Sequence, residues 1–257
     1  MIFEADLHVR KKLIPMFEKI DSTIINSCLQ GHMGTAWVDD FENPTVAQIT
    51  VGIFVFFAGN ADTRAAEELL HNLPDFTLAI VDSREWKNRI ETVHIGSIEK
   101  FPRYRFEKNL EHLNREYIQS LISTLPDGYE MKRIDKTIAE DSSFHALSED
   151  FVSQFDSIDD FINRGIGYAI IHNGHVVSAA TSFSIYDGGI EIEVASHPDH
   201  RRKSLATIVA SMIILDCLDR GMYPSWDGAN EESVKLAQKI GYKLQESYDT
   251  YFINNKK

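Results

Sequence analysis

The sequence predicts a mixed α/β fold in two domains, 1–125 and 126–257, the second built on a mostly antiparallel sheet flanked by helices. Three observations predict it. Asn173-Gly174 sits between the apolar runs Tyr168–His172 and Val176–Ile185, and an Asn-Gly pair supplies the two positive-φ residues of a tight hairpin turn. A third run, Ile190–Ser196, follows the turn Asp187-Gly188-Gly189 and passes through a short basic turn into Ser204–Arg220, apolar at helical spacing. The first half alternates helical patterns with short β-branched or aromatic runs.

Composition bounds the function. The chain has 257 residues, 43% of them hydrophobic and 25% charged, as an ordinary globular protein has. No apolar run approaches the ~20 residues of a membrane span, and MIFEADLHVRKK has no signal-peptide core, so no membrane partner is expected. Cys28 and Cys217 lie in apolar helical patterns, which suits the cytoplasm and argues against a disulfide framework or a Cys-ligated metal. A net charge of −13 disfavours nucleic-acid binding and leans toward cationic substrates such as amines.

In the first half, Leu7–Leu29 carries apolar residues at helical spacing and reads as one or two amphipathic helices, broken near Asp21-Ser22. Thr35–Asp39 and Ala47–Ala58 read as strands separated by the turn Glu42-Asn43-Pro44, with Phe54 and Phe56 on one face and Phe57 on the other. Asp62–Asn72 is a helix, Thr77–Val81 a buried strand, and Ser83 opens a helix to about Val93. His94–Phe106 is extended with an interruption at Pro102, and Asn109–Leu125 is helical or part linker. Asp39-Asp40 raises the question of a metal, but no further ligand follows at ligand spacing.

In the second half, Leu125-Pro126-Asp127-Gly128 is a turn and the expected domain boundary, followed by a strand over Tyr129–Ile134. Asp141-Ser142-Ser143 caps a helix through Phe155, and Ser157 caps another that ends at Gly165. After the meander, Gly221 ends the long apolar helix. Met222–Trp226 is a strand parallel to Ile190–Ser196 if the helix between them is a right-handed crossover. Asn230 caps a helix ending at Gly241-Tyr242, and Tyr248–Ile253 closes the chain as a strand.

The basic turn carries the chemistry. Arg201, Arg202 and Lys203 stand at the start of a helix, where cations oppose the dipole, so an anion is the better explanation for them. Backbone amides from Arg202 through Ser204, Leu205 and Ala206, at a helix N-terminus, make a ready site for phosphate. Arg201-x-x-Ser204-x-Ala206 after a strand and a His-Pro turn resembles the acyl-CoA pyrophosphate loop of GNAT N-acetyltransferases, with Ser204 in place of the first glycine. The resemblance covers about Gly128–Ile253, and Asn230-x-x-Ser233-x-x-x-Ala237-x-x-x-Gly241-Tyr242 is similar to the family's second cofactor segment. The first half, through Gly34–Asn60, resembles the two-domain GNAT family typified by zwittermicin-resistance proteins, and its element order suggests a worn copy of the second-half fold.

What the resemblance implies is a GNAT-like fold and an acetyl-CoA-dependent N-acyltransferase that moves an acetyl group to a small-molecule amine by direct attack on the thioester. Acetyl-CoA is then a co-substrate, and no metal is involved. Val194, Ala195 and Ser196 would touch the acyl end of the pantetheine arm as an added strand, while Asn230 and Ser233 approach it from the second segment. Base candidates are Glu193, Glu191 and Asp227; for the glutamates the alternative is a solvated strand residue, and for Asp227 a turn residue before Gly228. His197 and His200 read as turn residues. The family's common tyrosine acid falls on Ala237, so a catalytically reduced CoA-binding or sensor module remains open, and beyond it a scaffold that binds no nucleotide.

Overall fold

A computed structural model describes residues 1–255. The chain packs as two compact units, Met1–Arg103 with the segment from Tyr248 on, and Tyr104–Ser247.

The first unit opens with strand β1 (Phe3–Glu4) and helices α1 (Leu7–Lys12), α2 (Ile14–Phe17) and α3 (Thr23–Leu29). Asp6 caps α1 by accepting the Val9 N–H at 2.9 Å, and Pro15 occupies the first turn of α2, where a missing N–H costs nothing. Strands β2 (Thr35–Val38), β3 (Val46–Val51) and β4 (Phe54–Gly59) pair antiparallel. Helix α4 (Arg64–Leu70) crosses to β5 (Phe76–Ile80), which runs parallel to β4, and α5 (Arg84–Val93) leads to β6 (Ile98–Phe106). Tyr251–Asn254, near the end of the chain, pair antiparallel with β5. The core between sheet and helices contains Val55, Phe57, Leu69, Leu70, Trp86, Ile90 and Tyr251, with Phe57 stacked on Trp86 at 5.0 Å.

Three first-half expectations are corrected. Ala47–Ala58 is two strands, not one, because the chain folds back at Gly52, whose φ of +58° a tight turn exploits. The N-terminal helical stretch is three short helices. Pro102 does not interrupt β6, which runs through it. The Asp39-Asp40 pair organises a loop: Asp39 accepts from the Thr45 N–H, the Thr45 hydroxyl and the Val46 N–H, while Asp40 accepts from Glu42 and Asn43.

The second unit begins with a 3-10 turn at Leu110–His112 and helix α6 (Arg115–Ile122), followed by β7 (Tyr129–Arg133). Four short helices follow: α7 (Lys136–Ala139), α8 (Ser142–His145), α9 (Asp150–Ser153) and α10 (Ile158–Arg164). Strands β8 (Gly167–His172), β9 (His175–Tyr186) and β10 (Gly189–Ser196) form the meander, with Asn173 and Gly174 both at positive φ in the first hairpin. Helix α11 (Leu205–Asp219), β11 (Tyr223–Ser225), β12 (Asp227–Gly228), α12 (Glu231–Ile240) and β13 (Leu244–Asn254) complete the chain. A five-stranded sheet has the order β11-β10-β9-β8-β7; its pairs are antiparallel except β10 with β11, which is parallel.

Helix α11 lies on this sheet and also packs against α6 and α12, which is why its residues are apolar nearly all round. It ends in a Schellman motif: Gly221 has φ +67°, and the Met222 N–H reaches the Cys217 carbonyl at 2.9 Å. Helix α6 packs on α11 within the second unit. The single helix expected from Asp141 to Phe155 is α8 and α9 with a loop between them. Ser148 turns that loop by accepting the Asp150 N–H at 3.2 Å.

Candidate functional site

The second unit contains a fork. Strand β10 follows β9 along its whole length, to Ser196 opposite Ser178, but pairs with β11 only through Gly189, Ile190 and Glu191. A register shift after Glu191, where β9 carries one extra residue, falls where the strands part. The other arm leaves through Trp226 into β12, where Asp227 lies opposite Arg105. Beyond Glu191, one edge of β10 is therefore unpaired. The His197 N–H donates to the Val177 carbonyl at 2.9 Å, which fixes the antiparallel alternation. Ala195 and Glu193 then bond to β9, whereas Ile192, Val194 and Ser196 turn their N–H and C=O groups to the open edge.

At the end of β10 the basic turn reaches α11. Arg202 and Ser204 are both left-handed, at φ +61° and +62°. L-residues visit that region at a cost of about 1–2 kcal/mol, and glycine does not pay it in the same way. Alternating hand along a short loop turns successive amides to one side, forming a concave nest for an anion. Among the described residues, no protein acceptor is found for the N–H groups of Ser204, Leu205 or Ala206, and Ser204 makes no side-chain cap. Arg201, Arg202, Lys203 and Ser204 are exposed, while the Leu205 side chain is buried, so Leu205 can contribute only its backbone. Lys239 of α12 donates to the Ser204 hydroxyl at 3.3 Å and adds a cation that the sequence reading missed. Lys203 instead donates to the Tyr129 hydroxyl at 2.9 Å, which also meets His200 Nδ1 at 2.9 Å.

Glu193 stands between the fork and this loop on β10. Burial pushes its carboxyl up to about 7; the Ser148 hydroxyl opposes that shift and the nearby Asp150 adds to it. Ser148 donates to Glu193 Oε1, and Glu193 Oε2 has no protein partner among the described residues. Thr181, directly across in β9, is fully buried, and its hydroxyl also lacks a partner. A carboxyl near neutrality with one oxygen uncommitted has the properties of a general base.

The other expected residues separate. Glu191 is buried, at 5% exposure, among residues that include Tyr186 and Tyr242, so it is neither solvated nor at the open edge. Asp227 is a strand residue on the opposite arm rather than a turn residue. Asn230 caps α12, its side chain accepting the Ser233 N–H at 2.9 Å, and the Ser233 hydroxyl accepts the Trp226 indole N–H at 3.0 Å. Both thus hold the second arm, and the Ser233 hydroxyl keeps its proton to donate. Ala237 is fully buried. Ser148 was concealed in the sequence by the helical pattern around it. No group of three or more His, Cys, Asp or Glu residues able to hold a metal occurs among the described residues.

A family model described as GNAT acetyltransferase matches residues 14–251. The chain is 34% identical over 131 residues to the uncharacterized N-acetyltransferase YdfB of Bacillus subtilis (strain 168), covering 50% of this chain and 49% of that one. The match thus spans about half the length of that curated relative. A GCN5-related N-acetyltransferase-like protein from Streptococcus suis has a TM-score of 0.87 at 34% identity, over 95% of this chain and 98% of that one. A tandem GNAT protein from the clavulanic acid biosynthesis pathway has a TM-score of 0.57 at 9% identity, over 99% of this chain and 98% of its own, a likeness of fold alone.

Proposed function

The chain belongs to the GNAT acetyltransferase family, and from that premise we propose that it transfers the acetyl group of acetyl-CoA to the amine of a small molecule by direct attack on the thioester. The observation that carries this reading is the parting of β10 from β11 after Glu191, which leaves an open strand edge leading to unpaired helix amides. A pantetheine arm suits that edge as an added strand, and a diphosphate suits the amides of Ser204, Leu205 and Ala206. Arg201, Arg202 and Lys239 supply positive charge beside them.

Acetyl-CoA supplies an activated thioester with a good leaving group. The chain contributes position, charge and a proton acceptor. The Val194 N–H, at the open edge, is suited to the charge that develops on the thioester oxygen. Glu193, its neighbour in sequence, takes a proton from the acceptor ammonium through Oε2, so that the nitrogen attacks with its electron pair free. Base and oxyanion donor thus come from consecutive residues of one strand, which fixes their separation. Buried Ala237 provides no acid for the departing thiolate, and a CoA thiolate leaves without one.

The acidic chain, at −13, favours cationic amines in the approach. The free buried cysteines fit a cytoplasmic setting. We assign the first half to the two-domain type typified by zwittermicin-resistance proteins, on the resemblance of Gly34–Asn60, and read the first unit as a worn second copy of the fold. The shared fold with a tandem GNAT protein supports that reading. The test is thiol release from acetyl-CoA over a panel of primary amines. Amine-dependent release supports the proposal; saturable CoA binding with no release by any amine favours a sensor module instead.

A further inference from the structure

The loop between α8 and α9 brings one hydroxyl to the carboxylate assigned as base. Ser148 Oγ accepts the Asp150 N–H at 3.2 Å and donates to Glu193 Oε1. A hydroxyl has a single proton, and an ionised carboxylate can only accept, so that proton goes to Glu193 while one lone pair of the hydroxyl takes the backbone amide. The bond has two consequences. It occupies Oε1 and leaves Oε2 as the oxygen without a protein partner among the described residues. It also favours the ionised carboxylate, because an ionised oxygen is the better acceptor.

We infer that Ser148 is the positioning residue of this site: its hydroxyl holds Oε1 of Glu193 and so selects Oε2 as the proton-accepting oxygen. The inference rests on Glu193 being the base. Its surroundings otherwise work against ionisation. Burial is the largest influence, Asp150 at the start of α9 adds repulsion, and Thr181 across the strand pair is neutral. Ser148 is the neighbour that opposes them. In the transfer step, the acceptor ammonium loses one proton to Oε2; its electron pair forms the bond to the thioester carbon as the carbon–sulfur bond breaks, and the departing CoA thiolate takes the second nitrogen proton. Ser148 keeps its own proton throughout and acts through Glu193.

The test is the pH dependence of kcat/KM for the full chain and its Ser148→Ala and Ser148→Thr variants, with acetyl-CoA and one accepted amine. Removing the hydroxyl moves the acid limb of Ser148→Ala upward by about one pH unit, so activity at pH 6.5 falls about tenfold. The loss is recovered above the shifted limb. Ser148→Thr, which keeps a hydroxyl, returns the limb toward its original position. A uniform loss at every pH with an unmoved limb, or the same shift in Ser148→Thr as in Ser148→Ala, overturns the inference. Glu193→Gln separates the two failures. If Glu193→Gln retains full activity, the base assignment fails; if it abolishes the acid limb while Ser148→Ala leaves the limb in place, only the role of Ser148 fails.

Discussion

Ser204 stands where the family pattern has glycine, and its left-handed backbone at φ +62° makes it the most informative position to perturb. For an L-residue this conformation costs about 1–2 kcal/mol. Glycine avoids that cost but loses about 0.5–1 kcal/mol more in unfolded-chain entropy. Ser204→Gly is therefore stabilising by no more than about 1.5 kcal/mol, a melting shift of at most about 3–6 °C at this chain length. Its CoA affinity equals or exceeds that of the unaltered chain, since the hydroxyl's bond to Lys239 is exposed and long at 3.3 Å. Ser204→Val has the opposite effect. A β-branched residue at positive φ is an outlier, so the loop leaves the left-handed region and the amides stop converging. Losing one charge-assisted hydrogen bond to the diphosphate removes about 1.5–3 kcal/mol, which weakens CoA at least about tenfold. Equilibrium titration with CoA at fixed ionic strength, beside thermal melts of the same samples, reads both quantities. A folded Ser204→Val chain that binds CoA as tightly as the unaltered one refutes the role given to this loop.

Two further perturbations follow from the same structure. Glu193→Gln lowers kcat/KM by about 10²–10⁴ while CoA affinity is unchanged, as loss of a general base should. The same change stabilises the fold at pH 8. The Glu193 pKa is about 7 in the folded chain against an ordinary 4.5, so the native state holds the extra proton and its stability falls as pH rises from 4.5 through 7. A neutral glutamine avoids that loss, and melts at pH 5 and pH 8 check it: the variant gains at pH 8 and not at pH 5. Asp39→Ala strips the acceptor from two backbone N–H groups and the Thr45 hydroxyl and destabilises the first unit by about 1–3 kcal/mol. Stabilisation of the unaltered chain by added divalent cations would show instead that the Asp39-Asp40 pair is a metal site.

Local signals made much of the second half legible. Asn173-Gly174 and Gly221 each demand a backbone conformation that few residues supply, and the Asn230 cap a side-chain acceptor that few residues carry, so each element end can be read without a tertiary contact. The turn at Gly52 was hidden because Val51 and Ile53 on either side are as apolar as the strands they join. The break between α8 and α9 was hidden because Ser148 acts through its hydroxyl and not through a pattern of hydrophobicity. The basic turn could be read because three cations at a helix start are locally unfavourable. The separation of Glu193 from Glu191 could not. Both alternate onto the same face in sequence, but the fork places Glu191 where β10 is still paired on both edges and Glu193 where one edge is open. Lys239 and Thr181 likewise reach the site through packing and pairing between distant segments.

The central claim is that amides at the start of α11 hold a diphosphate beside an open strand edge. Backbone amide NMR during titration tests it most directly, comparing CoA with pantetheine, which lacks the diphosphate. The account predicts saturable shifts at Ser204, Leu205 and Ala206 with CoA and none there with pantetheine. CoA binding that leaves those three amides unmoved and shifts another region would contradict it.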